Sequence, residues 1–249
     1  MPDDDVLMGL RARSKYLPPR VLDDAARIDP ALLDRLARPE QALLQRFLPT
    51  LVERVGPRAR VLEPFPTAPA TTRLLLRNLA TTPAGRPLVI LMHDAIGRFV
   101  PGEARIVLRG LHRPGGRLLL SADATRDRDL LLRAYDDPAG VMEAVAKQAL
   151  EHINDTHAAT FEPAAFDYHA SWDPDASRME IALVSTCDQQ VHVAGERIAF
   201  AAGEPLRIAH HHKHTPAALD AMLTLSGWRP CAELAAPDRP LRLWLCEPL

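Results

Sequence analysis

Lysine is nearly absent from this chain. Its 30 basic residues are almost all arginine, with lysine only at Lys15, Lys147 and Lys213. That bias reads as genome composition before function. The formal net charge of −2 leaves no basic footprint for nucleic acid. Cysteine is scarce too. Cys187, Cys231 and Cys246 have no metal-ligand spacing, and an odd, sparse set excludes a disulfide framework and fits a reducing compartment. No apolar run reaches the roughly 20 residues of a membrane helix. The opening "MPDDDVLMGLRARSKYLPPR" is acidic before any apolar stretch, unlike a secretory signal. A cytoplasmic protein without membrane or nucleic-acid partners is therefore expected. No G-x-S-x-G elbow, P-loop or C-x-x-C pair occurs either.

The most informative absence is glycine in "VLEPFPTAPATTRLLL", Val61 to Leu76. A nucleotide-binding protein places its first strand, its binding loop and its first helix in such a stretch. Glycine is wanted in that loop because it permits positive φ and lets the backbone approach a ligand closely. Here Glu63 is followed by Pro64, Phe65, Pro66, Thr67, Ala68 and Pro69. Three prolines remove three amide donors and fix three φ angles.

What is present describes an α/β protein. The 249 residues, 47% hydrophobic and 25% charged, suffice for one large or two small domains. Short helices are expected around 21–27 and 31–37, then a longer one over 39–55, which Pro49 interrupts. Unbroken apolar strands at 59–63, 87–94 and 115–123 alternate with helices at 70–80 and 101–113. That order predicts a parallel sheet covered on both faces. A long helix over 137–157 follows. The period then falls to two in strands at 166–173, 177–186, 189–193, 196–203 and 205–214. A helix over 215–228, with Thr215 as N-cap and Pro216 in its first turn, leads to two closing strands.

Several segments in order carry a family resemblance. They are "SKYLPPRVLDD" at 14–24, "IGRFVPGEA" at 96–104, "YDDPAGV" at 135–141, "LEHIN" at 150–154, "FEPAAFDYHASWDPDASRMEI" at 161–181, "FAAGE" at 200–204 and "HKHTPAAL" at 212–219. The chain resembles the histidine N-α-methyltransferases of ergothioneine biosynthesis, which use S-adenosylmethionine. The resemblance implies a methyltransferase-type doubly wound sheet, truncated here, with a β-rich substrate-domain insert and N-terminal helices. It implies domain limits as well: an N-terminal segment over 1–45 packing with the insert, a reduced core over 46–150 and 215–249, and the insert over 151–214.

It also implies site residues. In the cofactor loop, Glu63 falls at the place of the family's acidic residue after the first strand. Tyr135 matches a substrate-binding tyrosine. The family's substrate-holding asparagine falls on Arg98. The glutamate and serine that hold the substrate imidazole fall on Ala209 and His211. With "TTPAGR" alone between the helix at 70–80 and the next strand, the family's further carboxylate-bearing strands have no room.

Outside the resemblance, "HHHKH" concentrates four of ten histidines in five residues. On a strand His210, His212 and His214 share one face, and neutral imidazoles are common transition-metal ligands. Alternate strand residues stand roughly 6–7 Å apart, which disfavours one shared ion. Asp94 and Asp123 end consecutive strands at the edge where this fold class binds ligands, and the simplest role for each is capping a helix nearby. His93 and Arg98 flank Asp94.

Three readings follow. The first is a degenerate family member, without cofactor, acting as a binding protein for a small amino-acid-like ligand or as a subunit of a homo- or hetero-oligomer. The second is an S-adenosylmethionine-dependent methyltransferase on an amine or amino acid other than histidine. The third is a metal-binding protein using His210, His212 and His214.

Overall fold

The computed structural model describes residues 30–56, 58–64, 75, 84–235 and 240–249, with side chains from Glu40 onward. The helix expected at 21–27 and the loop from Phe65 to Pro69 lie outside these residues. So does the helix at 70–80 apart from Leu75, which is helical and buried. The chain divides into two compact units, with boundaries at Asp127 and His212. One unit holds residues 127–211 and the other holds 33–126 with 212–249.

The second of these units is built on a five-stranded sheet. Helix α1, Pro30–Val55, precedes β1 (Ala59–Leu62) and β2 (Arg86–Leu91). A 3₁₀ turn, Ala95–Arg98, leads into α2 (Pro101–Gly110) and β3 (Arg117–Asp123). The two segments expected at 31–37 and 39–55 are one helix, continuous through Pro49. Proline inside a helix costs about 3 kcal/mol. Pro49 is exposed, while Leu43, Leu44, Leu51 and Val55 are buried on both sides of it. At about 1.5–3 kcal/mol for each buried side chain, these anchors outweigh the break.

The strand order is β1-β2-β3-β10-β9, where β9 (Trp228–Ala235) and β10 (Leu241–Pro248) close the chain. β1, β2 and β3 run parallel, with Leu62 opposite Val89 and Leu91 opposite Leu120. β10 runs antiparallel to both β3 and β9. This is an α/β sheet of parallel strands completed by an antiparallel closing hairpin, as expected. β1 and β2 are consecutive and adjacent, so residues 63–85 connect them, enough for one crossover of a dozen residues or more. Among the described residues β1 is the edge strand. It lies so close to the start of β2 that a β-carbon on Gly85 would stand 2.6 Å from the Ala59 carbonyl carbon.

The apolar run of β2 reads as period two once both faces are seen. Leu88 and Ile90 pack with Leu43, Leu44 and Leu51 of α1, whereas Val89 and Leu91 pack with Ala104 and Leu108 of α2. Leu219 and Leu223 of α5, Pro216–Leu225, join the second face. Thr215 is its N-cap as expected, accepting from the Ala218 amide at 3.2 Å.

The other unit holds α3 (Arg128–Tyr135), α4 (Val141–His157), a sheet of order β4-β5-β8 and a hairpin β6-β7. The strands are Phe166–Asp173, Arg178–Ser185, Gln189–Val193, Glu196–Phe200 and Pro205–His212 for β4 to β8. Phe161, Phe166 and Phe200 centre its core against Leu150 and Ile153 of α4. The expected helix at 137–157 begins only at Val141, because Gly140 before it is left-handed. Helix α3 is absent from the sequence reading. Asp127 caps it, accepting from the amides of Asp129 and Leu130.

Candidate functional site

In the five-stranded unit, polar residues gather at the carboxyl ends of β2 and β3. β2 ends in two consecutive left-handed residues, His93 at φ 61° and Asp94 at φ 52°. Asp and His tolerate this region better than most side chains. The turn passes into the 3₁₀ segment, in which Gly97 meets the His212 backbone. A β-carbon there would stand 2.6 Å from the His212 carbonyl oxygen.

Asp94 occupies the cap position of that segment but makes no side-chain cap bond. Its carboxylate serves another purpose. Lys213 Nζ donates to Asp94 Oδ2 at 2.6 Å and lies 3.0 Å from Asp123 Oδ2. The Asp123 amide donates to Asp94 Oδ1 at 3.2 Å, and Asp123 Oδ1 accepts from the Thr125 amide at 2.9 Å and from its hydroxyl. The Lys213 side chain is 1% exposed. Capping, the simplest role for both aspartates, therefore gives way at Asp94 to an ion cluster, and Asp123 combines it with a local turn.

The two carboxyls respond differently. Burial lifts Asp94 to about 6, more than the Lys213 ammonium pulls it down. Burial also acts upward on Asp123, but Lys213 and the two Thr125 bonds outweigh it and hold that group below its ordinary value. Both carboxylates are committed to the ammonium above about pH 6, so neither is a free general base.

Behind the turn lies Glu40 of α1, 2% exposed. Glu40 Oε2 accepts from the His93 amide at 2.6 Å and from the Ser121 hydroxyl, and His93 Nε2 lies 3.2 Å from Glu40 Oε1. Ser121 Oγ in turn accepts from the Asp94 amide at 3.3 Å. Burial raises the Glu40 carboxyl to about 7 against these hydrogen bonds, and Glu63 adds to the rise. Glu40, Ser121, Thr125 and Lys213 went unrecognised as site residues in the sequence. Lys213 was hidden by the histidines around it.

Of the residues singled out in the sequence, Arg98 ends the 3₁₀ segment, and burial lowers its guanidinium to about 10. Glu63 follows β1 and is half-buried. In the other unit the structure brings Tyr135 and His211 together, ring centroids 5.6 Å apart and tilted by 56°. The Tyr168 hydroxyl donates to the Tyr135 carbonyl at 2.5 Å. Ala209, beside them on β8, is buried in the apolar core. The histidine run does not form one ligand set. His212 and His214 stack with centroids 6.2 Å apart, and among the described residues no three His, Cys, Asp or Glu side chains come close enough to hold a metal. Burial lowers His214 to about 4, with His212 and Lys213 adding to it. Among the described residues no helix is long and apolar enough to cross a membrane.

The family of histidine-specific, SAM-dependent methyltransferases matches residues 73–248. This chain belongs to that family. A histidine N-alpha-methyltransferase of Mycolicibacterium smegmatis is 35% identical over 150 residues, covering 58% of this chain and 47% of the relative. Its counterpart in Mycobacterium tuberculosis is 34% identical over 148 residues, covering 57% and 46%. The N-methyltransferase fsqC of Aspergillus fumigatus is 23% identical over 125 residues, covering 50% and 34%. The chain spans about half the length, or less, of these curated relatives.

The family implies S-adenosylmethionine as a cofactor. Among the described residues Glu63 directly follows β1, the edge strand of the sheet.

Proposed function

We propose that this chain is a histidine-methyltransferase-like protein that has given up methyl transfer and works as a ligand-binding or partner subunit. The observation that carries this reading is the internal ammonium of Lys213 between Asp94 and Asp123. In parallel α/β sheets ligands enter at the carboxyl ends of the strands. Here both carboxylates that would attract a substrate amine or a sulfonium are already paired with an ammonium from within the chain, which cancels one of their two charges.

Two further points support it. β1 at the sheet edge leaves no described strand to complete a nucleoside site. At the positions that the resemblance assigns to the imidazole-binding glutamate and serine stand a buried methyl group, Ala209, and a second ring, His211.

A second reading is N-methyl transfer to an amine or amino acid other than histidine. The match over residues 73–248 and the Tyr135–His211 pair favour it. Titration calorimetry with S-adenosylmethionine and S-adenosylhomocysteine separates the two, each tested alone and with a panel of amino acids. The proposal expects no heat from either nucleoside and binding of at least one amino acid. Micromolar binding of either nucleoside overturns it in favour of the second reading. Light scattering on the same samples tests the expected oligomer.

A further inference from the structure

We infer that Glu40 is a positioning residue for this sheet edge: its buried carboxylate fastens the left-handed His93–Asp94 turn, and that turn aims Asp94 at Lys213. The inference rests on the reading above that the Asp94–Lys213–Asp123 edge is the ligand-facing end of the sheet.

β2 stops pairing at Leu91, and the chain then turns through two left-handed residues, each costing of order 1–3 kcal/mol for a non-glycine residue. The amides of His93 and Asp94 point away from any ladder. Asp94 is buried, and a buried amide without a partner costs about 1–3 kcal/mol. Both are satisfied by one carboxylate. The His93 amide donates directly to Glu40 Oε2, and the Asp94 amide donates to Ser121 Oγ, whose hydroxyl donates to the same oxygen. The turn therefore exists because helix α1 delivers a carboxylate to it.

The outcome is directional. The same turn that gives its amides to Glu40 and Ser121 brings the Asp94 carboxylate to Lys213 and the Asp123 amide. Gly97 must then pass within contact of the Asp94 carboxylate and the His212 carbonyl, which leaves the turn no alternative course with a side chain there. The Glu40 hydrogen bonds go to His93 and Ser121. Glu40 acts through these two residues.

The scarcity of lysine supplies the test. With lysine only at positions 15, 147 and 213, acetic anhydride labelling read by mass spectrometry resolves each one. Lys147, partly exposed beside Glu143, is the internal reference. In the wild-type chain Lys213 labels far more slowly than Lys147. Glu40→Ala is expected to raise the Lys213 rate relative to Lys147 by about tenfold or more, a change of about 1.4 kcal/mol in the opening equilibrium. Exchange of the His93 and Asp94 amides should accelerate with it. Glu40→Gln keeps an acceptor oxygen and should restore most of the protection. Glu40→Asp, one methylene short, should not.

Leu44→Ala, on the next turn of the same helix, removes apolar packing only. It should lower stability without selectively exposing Lys213. Unchanged Lys213 labelling in Glu40→Ala overturns the inference, as does equal exposure in Leu44→Ala. If Glu40→Ala does not fold, equal protection in the Gln and Asp variants overturns it. Labelling reads the turn and not a ligand. A ligand screen without a hit therefore counts against the proposed function and leaves the Glu40 result standing.

Discussion

A β-carbon on Gly97 would stand 2.6 Å from the carbonyl oxygen of His212. The neighbour is backbone, which cannot swing aside as a flexible side chain would. Gly97→Ala is accordingly expected to destabilise the protein by about 1–3 kcal/mol, the usual cost of forced overpacking. Urea unfolding with an unchanged m-value checks it. Gly102→Ala, in the first turn of α2 where an added β-carbon meets nothing, is the control and should leave stability unchanged or slightly raised.

Removing the buried ammonium should give a loss that depends on pH. Lys213→Met leaves two carboxylates without their partner, and breaking such a buried pair costs about 3–5 kcal/mol. Lys213 lowers the Asp94 carboxyl, so without it Asp94 takes up a proton at a pH above the wild-type value of about 6. Protonation relieves the repulsion. The deficit of Lys213→Met is therefore largest in alkali and shrinks as the pH falls through neutrality. A deficit constant from pH 5 to 8 contradicts the cluster.

How much of this was legible in the sequence follows from the range of each interaction. The apolar runs at 87–94 and 115–123 announced buried parallel strands, and the alternation of Leu88 and Ile90 with Val89 and Leu91 between two helical faces explains why. Thr215 and Pro216 announced α5. Helix α3 escaped because "RDLLLRAY" is only two turns long, too short for a helical period to declare itself. Glu40 escaped for a different reason: its partner Ser121 is 81 residues away, and no local pattern links them. Asp94 and Asp123 were legible by position, at strand ends. Their charge partner was not, because Lys213 sits inside a histidine run that draws attention to metal chemistry.

His214 and Glu40 set opposing slopes in the stability curve. The folded His214 ring stays neutral down to about pH 4, against an ordinary value of 6.5. Between those values the unfolded chain binds the proton and the folded one does not, so stability from this group falls as the pH drops from 6.5 to 4. Glu40 runs the other way. Its carboxyl, raised from 4.5 to about 7, holds its proton longer in the folded chain, and stability from it falls as the pH rises from 4.5 to 7. The groups facing it are His93, Ser121 and Glu63. His214→Phe should remove the acid-side loss, and Glu40→Gln should remove the decline toward neutrality. Thermal melts at half-unit pH intervals distinguish the two.

In the other unit, Tyr168→Phe deletes one hydrogen bond to the Tyr135 carbonyl and leaves the ring packing. A loss of about 0.5–1.5 kcal/mol is expected. If Tyr135 and His211 frame the amino-acid site, the same variant should weaken amino-acid binding, because Tyr135 loses the tether that fixes its backbone. Calorimetry showing unaltered affinity would place the ligand elsewhere.

The brevity of β1 has a consequence for assembly. Four residues, with Arg60 turned to solvent, offer a neighbouring polypeptide only a few main-chain groups and a charge in the path of an approaching strand, two devices that discourage runaway fibrillar growth. Any complex zipped together along this rim would thus draw little grip from the backbone. It should come apart on dilution, behaving as a reversible association and not as a permanent one.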